Sequence, residues 1–349
     1  MRSRRLSCRS ARTVSACHEF VESLPVDGAR VVTASDQNAG MSGRFAPSPT
    51  GELHLGNLRT ALVAWLAARS AGLGFLVRME DLDRVTSSPE HERRQLADLA
   101  AIGLDWDGEV LRQSDRFDVY RSEIERLRAD GRVYECFCTR REIRAEIDAA
   151  AHAPHVHLPD GAYPGTCREL TADERAERIE SGRRPALRLR ADGEVLEFDD
   201  LVHGHMDGAV DDVVLARADG VPAYNLAVVV DDAAQGVTQV CRGDDLLTST
   251  PRQILLQQLL GAATPQYLHV PLVLGPDGQR LAKRHGAVTL AELQAQGSSA
   301  AEVVSVLARS LGLANPGETV TAEVLVERFD PATLPKTPAH LADLYRSTS

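Results

Sequence analysis

Two stretches of this 349-residue chain carry side chains suited to handling a polyphosphate. The first runs from Arg44 to Leu58 and reads Arg-Phe-Ala-Pro-Ser-Pro-Thr-Gly-Glu-Leu-His-Leu-Gly-Asn-Leu. Pro47, Pro49 and Gly51 favour a tight, extended turn. Helix-favouring residues follow from Arg59 to Ser70, with Leu58, Leu62, Trp65 and Leu66 at helical spacing and Gly72 as a C′ stop. The stretch therefore reads as a loop entering a helix N-terminus, where free N–H groups and the positive dipole end favour phosphate. His54 adds a donor on that side, and Gly56 lets a flat ring or phosphate approach the backbone. The second stretch, Gln279-Arg-Leu-Ala-Lys-Arg-His-Gly286, follows the turn Gly275-Pro-Asp-Gly278. A cationic loop after a strand suits a polyphosphate leaving group, because Lys and Arg offset charge that shifts during phosphoryl chemistry. An ordinary loop–helix junction or a solvated basic loop would each carry one such stretch. Their occurrence together points to nucleotide chemistry.

A third constellation is Cys136-Phe-Cys138 with Cys167 further on. Three thiolates at this spacing form most of a tetrahedral zinc site; buried cysteines also occur simply as small hydrophobes. A nearby histidine (His152, His155 or His157) is the ordinary fourth ligand, and Tyr163 is an unusual one. Six cysteines in a chain of this size do not make a disulfide scaffold, so the cluster suggests metal in a reducing compartment. With 43% hydrophobic and 26% charged residues the composition is that of a soluble globular protein, expected in the cytoplasm. No stretch approaches the roughly 20 apolar residues of a membrane span. A formal net charge of −11 argues against non-specific coating of nucleic acid, though not against a local basic groove.

The elements that must hold these residues alternate. Ser42 to Ala46 is a short strand, the helix after His54 follows, and Gly74 to Met79 is a buried strand ending at Glu80-Asp-Leu-Asp83. Strand, helix, strand opens a parallel α/β sheet, whose ligands bind beyond the strand C-termini. Arg44, His54 and Glu80 are placed near that edge. Pro89 starts a helix with Leu96, Leu99 and Ile102 inward, and Arg116 to Arg128 is a third helix closed by Gly131. Strand signals return over 183–230: Pro185 to Arg190, Val195 to Asp200, Asp211 to Ala216, and the apolar run Val221 to Val230. Val237 to Arg242 is a further strand, Thr248 to Leu260 a helix and Tyr267 to Leu274 the last strand. Ala300 to Leu311 and Thr321 to Phe329 are helical. Residues 1–40 lack periodicity and read as a disordered or spurious extension before Met41.

Arg44-Phe45-Ala46-Pro47-Ser48-Pro-Thr-Gly with His54-Leu-Gly56-Asn57 resembles the HIGH-type signature of class I glutamyl-tRNA synthetases. Arg280-Leu-Ala-Lys283-Arg284 resembles the matching KMSKS-type loop. Glu80-Asp-Leu-Asp83, Tyr224-Asn225 with Asp231-Asp232, and Arg242-Gly-Asp-Asp245 stand between them in the family's order. The resemblance spans about residues 43–290. Within that family, Cys136-x-Cys138 with Tyr163-x-x-x-Cys167 resembles the zinc module of the short branch, the glutamyl-Q tRNA(Asp) synthetases, in which tyrosine is the fourth ligand. The chain also ends soon after the basic loop, which leaves no room for a helical anticodon-binding domain.

The resemblance implies a Rossmann-type parallel sheet in two halves, 41–133 and 183–290. A zinc-containing, acceptor-binding-like insertion at 134–182 separates them, and a short helical region at 291–349 follows. It implies that glutamate attacks the α-phosphate of ATP and that the glutamyl group then passes to the queuosine base of tRNA(Asp). His54 and Lys283 would be catalytic, with Gly56, Asn57 and Arg280 also binding ATP. Arg44, Phe45, Ala46, Pro47, Ser48, Glu80, Tyr224 and Arg242 would bind glutamate. One zinc would sit on Cys136, Cys138, Tyr163 and Cys167. Mg²⁺ would accompany ATP, without a visible protein ligand set. The protein is expected to be monomeric and to have no membrane partner. Two departures stand out: Asn57 replaces the motif's second histidine, and Ala282 replaces its serine.

Overall fold

The structure, a computed structural model, describes residues 40–150, 162–281 and 288–346. The proposed extension before Met41, the histidines at 152, 155 and 157, and residues 282–287 with Lys283 lie outside the described residues, apart from Gly40.

Strand β1 (Ser42–Phe45) leads through a loop into helix α1 (Leu55–Ser70), then β2 (Gly74–Met79), α2 (Pro89–Ala101), β3 (Leu111–Arg112) and α3 (Phe117–Ala129). The next segment holds β4 (Val133–Cys136), α4 (Arg140–Ala150), α5 (Ala172–Glu180) and β5 (Ala186–Leu189). After it come β6 (Val195–Asp200), β7 (Gly204–Ala209), β8 (Val214–Ala216), α6 (Tyr224–Ala234), β9 (Val237–Gly243), α7 (Thr250–Leu260), β10 (Gln266–Val270) and β11 (Val273–Leu274). Helices α8 (Leu290–Ala295), α9 (Ala300–Ser310) and α10 (Ala322–Val326), strand β12 (Ala339–His340) and α11 (Leu341–Arg346) complete the described chain.

Seven strands form one sheet in the order β3-β2-β1-β9-β10-β6-β7. All neighbours pair in parallel except the β6–β7 hairpin at one edge. Strands β4, β5 and β8 make a separate antiparallel sheet. Helix α1 is buried on nearly every side, including Leu58, Ala61, Leu62, Val63, Ala64 and Trp65. Its outer face is covered by the C-terminal helices, whose Val303, Leu307, Leu325 and Leu344 join the same core. Such two-sided burial calls for a mostly apolar helix, and its buried charge, Arg59, donates to the Pro271 carbonyl (2.6 Å) and Ser310 Oγ (3.0 Å). No helix among the described residues is long and apolar enough to cross a membrane.

Two sequence expectations change. The run from Val221 to Val230, grouped with the strand signals, folds from Tyr224 as α6. Leu226 to Val230 are all buried, so the helix shows no polar face to give its period away. The last strand breaks after Val270: Pro271 has no N–H to give to a ladder, and the chain resumes as β11 paired with β12.

Candidate active site

The carboxyl ends of β1, β2 and β9 open onto one cavity of about 600 Å³. Its wall includes Arg44, Phe45, Ala46, Pro47, Ser48, His54, Gly56, Asn57, Glu80, Tyr224, Arg242 and Arg280. The residues expected to bind glutamate and ATP thus line it together, with Lys283 the one outside the described residues; the expected metal ligands lie elsewhere. The loop after β1 is pinned by its neighbours. The Pro47 carbonyl accepts from Glu80 N–H (2.9 Å) and the Pro49 carbonyl from Ser88 N–H (3.0 Å). The buried Gln95 amide donates to the carbonyls of Ser48 (3.1 Å) and Gly51 (2.7 Å). Asp245, from the Arg242-Gly-Asp-Asp245 stretch, and Gln95 also line the cavity, and nothing in the local sequence of Gln95 announces it.

His54 is the N-cap of α1. Its Nδ1 accepts from the Asn57 N–H at 3.2 Å while Asn57 Oδ1 accepts from the His54 N–H at 3.3 Å. This reciprocal capping box gives the departure at Asn57 a purpose: its short amide closes the cap. Burial and the positive field of Arg280 push the His54 pKa down to about 4. The ring is therefore neutral near pH 7 with its proton on Nε2, leaving Nε2–H as its donor. Gly56 makes room for this ring, because a Cβ there would meet His54 Cε1 and Nδ1 at 3.0 Å.

A buried charge network lies under the cavity floor. Asp232 Oδ1 accepts from Arg78 Nη1 (2.7 Å) and Arg44 Nε (3.3 Å), and Arg44 Nη1 donates to the Cys241 carbonyl (2.8 Å). Burial alone would raise the Asp232 pKa, but the two guanidiniums hold it below the ordinary carboxylate value. The adjacent Asp231 points the other way, accepting from Gln113 (3.0 Å), Arg116 (2.7 Å) and the Tyr120 hydroxyl (2.7 Å). Glu80 reaches Arg78 at 3.4 Å, yet its burial keeps its pKa above normal against the pull of Arg78 and Arg44.

Arg242 is different. Its Nε donates to His269 Nε2 (3.0 Å), Nη1 to Gln253 Oε1 (2.6 Å) and Nη2 to Thr250 Oγ1 (2.9 Å). All three acceptors are uncharged. Only 5% of Arg242 is exposed, and it has no carboxylate ion pair among the described residues. It is a cation with unspent charge in the wall of a pocket, which favours an incoming carboxylate. Arg280, also in the wall, is paired with Asp245.

Away from this cavity, Cys136, Cys138 and Cys167 bring their Sγ atoms within 4.8 Å of one another. Tyr163 Oη lies 3.3 Å from Cys136 Sγ and 3.8 Å from Cys138 Sγ, and accepts from the Cys167 N–H at 2.8 Å. The Arg188 guanidinium stacks on the Tyr163 ring at 3.7 Å. Three soft sulfurs and one oxygen around a common centre fit a tetrahedral zinc ion.

The fold and this pocket define a ligase of the class I aminoacyl-tRNA synthetase type, and the family described as tRNA synthetases class I (E and Q), catalytic domain, matches residues 41–342. The chain is 60% identical over 305 residues to the Glutamyl-Q tRNA(Asp) synthetase of Nocardia farcinica, a match covering 87% of this chain and 94% of that one. It is 50% identical over 314 residues to the protein of the same name from Symbiobacterium thermophilum, covering 86% and 96%. Among solved structures, a glutamate tRNA ligase from Elizabethkingia meningosepticum, determined in complex with its amino acid, gives a TM-score of 0.72 at 27% identity. That match covers 88% of this chain and 68% of that chain. The chain belongs to the glutamyl-Q tRNA(Asp) synthetase family within the class.

Proposed function

We propose that the protein activates L-glutamate with ATP and passes the glutamyl group to the queuosine base in the anticodon loop of tRNA(Asp). The observation that carries the choice of amino acid is Arg242, a buried guanidinium facing the cavity with only neutral partners. The side-chain carboxylate of glutamate supplies the missing countercharge, with Arg44 beside it. Glu80 holds the α-ammonium, and Ser48 and Tyr224 hydrogen-bond the substrate. The α-carboxylate oxygen attacks the α-phosphorus of ATP; a C(O)O–P bond forms, the bond from that phosphorus to the bridging oxygen breaks, and pyrophosphate leaves. His54 Nε2–H and the N-terminal end of α1 around Gly56 and Asn57 stabilise charge that develops on phosphorus. Arg280 and Lys283 attend the departing phosphates, Arg280 by leaving Asp245 for them. The queuosine acceptor comes from the names of the relatives and is tested directly. Labelled glutamate with ATP should label tRNA(Asp) that carries queuosine and leave the queuosine-free tRNA unlabelled. Label at the 3′ terminus of both tRNAs would refute the assignment.

Cys136, Cys138, Tyr163 and Cys167 would hold one zinc ion, which locks the inserted part by joining the end of β4 to the segment before α5. Protein purified without chelator should contain about one zinc per chain. Cys138→Ala should lose most of it and lower the melting temperature, whereas Tyr163→Phe should weaken but not abolish binding. Full zinc content in Cys138→Ala would exclude the site.

A further inference from the structure

Behind Arg242 lies a chain of buried groups that no step of the reaction uses. Asp200 ends β6 and His269 stands on the neighbouring strand β10; both side chains are fully buried. Asp200 Oδ1 accepts from the N–H groups of Val202 and His203, both at 2.9 Å. Its Oδ2 accepts from the His269 N–H (3.0 Å) and meets His269 Nδ1 at 2.7 Å. The carboxylate is held ionised against its burial by His269 and the His203 N–H. Every contact it makes is to a donor, so the proton of His269 sits on Nδ1. That leaves Nε2 as a lone pair, and it faces Arg242 Nε at 3.0 Å.

We propose that the Asp200–His269 pair is a positioning device that fixes the plane of the Arg242 guanidinium, and through it the preference for glutamate over glutamine. This rests on the reading of Arg242 as the site for the substrate's side-chain carboxylate. The argument is one of hydrogen-bond polarity. If His269 carried its proton on Nε2, a donor would face the Nε–H donor of Arg242, and the guanidinium would have to turn. Asp200 forbids that tautomer from the far side of the ring. Tyr267, stacked on His269 with centroids 6.0 Å apart, and Gln253 and Thr250 on the two Nη atoms leave the guanidinium one orientation. A fork held in one plane meets a planar carboxylate with two parallel hydrogen bonds. Small errors in such a fork are costly for recognition.

The test uses ATP–pyrophosphate exchange without tRNA, with glutamate and glutamine as competing substrates. His269→Ala and Asp200→Asn should each raise the glutamate KM by roughly tenfold or more and narrow the glutamate-over-glutamine ratio, while the ATP KM stays put. Asp200→Asn acts by presenting an N–H to Nδ1, which drives the proton to Nε2. His269→Gln, whose Oε1 can still accept from Arg242, should recover part of the glutamate KM. A purely structural role would lower the melting temperature and leave the KM values and the ratio alone, and that result overturns the proposal. Should the variants not fold, ¹⁵N NMR of the unmodified protein decides: Nδ1 should show the protonated-nitrogen shift and Nε2 the bare one, and the reverse pattern overturns it. A native enzyme that activates glutamine as readily as glutamate is a different failure: it sinks the reading of Arg242, while the tautomer measurement still judges the pair.

Discussion

Arg242→Gln is expected to lower kcat/KM for glutamate about a thousandfold in ATP–pyrophosphate exchange and to raise the much smaller rate with glutamine. The size follows from burial. Removing one partner of a buried, hydrogen-bonded charge pair costs about 2–5 kcal/mol, and about 4 kcal/mol is a factor near a thousand. The sign of the specificity change follows from charge. With Arg242 present, a neutral amide leaves the cation uncompensated among His269, Gln253 and Thr250; with Gln in its place that penalty on glutamine disappears while the carboxylate loses its partner. Arg242→Lys should recover little, since one ammonium cannot reach three acceptors and a substrate as a planar fork does. A glutamate-to-glutamine ratio unchanged in Arg242→Gln would transfer carboxylate recognition to Arg44.

The second large effect concerns the floor of the site. Asp232→Ala should destabilise the protein by about 3–5 kcal/mol, because two guanidiniums, Arg44 and Arg78, are left buried without the carboxylate they share. Asp232→Asn should cost less, since its oxygen can still accept from one of them. The pH dependence has a defined sign. Asp232 is held below its ordinary pKa in the folded protein, so its contribution is fully present above the unfolded value near 4 and is lost as pH falls through the folded one. Urea titrations from pH 7 down to pH 2.5 should show the native protein losing this increment on the acid side, and Asp232→Ala lacking it. A variant within 1 kcal/mol of the native protein at pH 7 would show that Glu80 and Asp231 suffice as countercharge. Activity should fall with stability in these variants, because Arg44 is oriented by the same carboxylate.

How far the sequence carried these conclusions differs from residue to residue. The turn at Pro47 to Gly51, the helix after His54 and the strand to Met79 are local, and their turn and period signals sufficed. So was the clustering of Cys136, Cys138 and Cys167, whose spacing already pointed to a common centre. Helix α6 was hidden because burial on all sides erased its amphipathic period. The partners of the charged residues were hidden for another reason. Arg44 finds Asp232 188 residues away and Asp200 finds His269 69 residues away, distances over which no pattern of neighbouring letters speaks. The role of Asn57 needed the cap geometry: its letter read as a missing imidazole, and its side chain turns out to hold the imidazole that is present.

The strand order has a consequence for synthesis. Strand β1 pairs on one side with β2, made at once, and on the other with β9, whose Val237 meets Ser42 across 195 positions of chain. A ribosome adding roughly 5–20 residues per second needs on the order of ten to forty seconds to span that gap. Throughout it, one flank of β1 is an open edge with unpaired backbone groups, lying beside the apolar surface of α1 that the last helices will cover. The smaller sheet of β4, β5 and β8 is complete before β9 emerges, so it can settle while the larger sheet waits. A nascent chain halted before β9 is therefore a substrate for chaperones, and slow translation through the codons for 217–243 prolongs the interval in which it sticks to its neighbours.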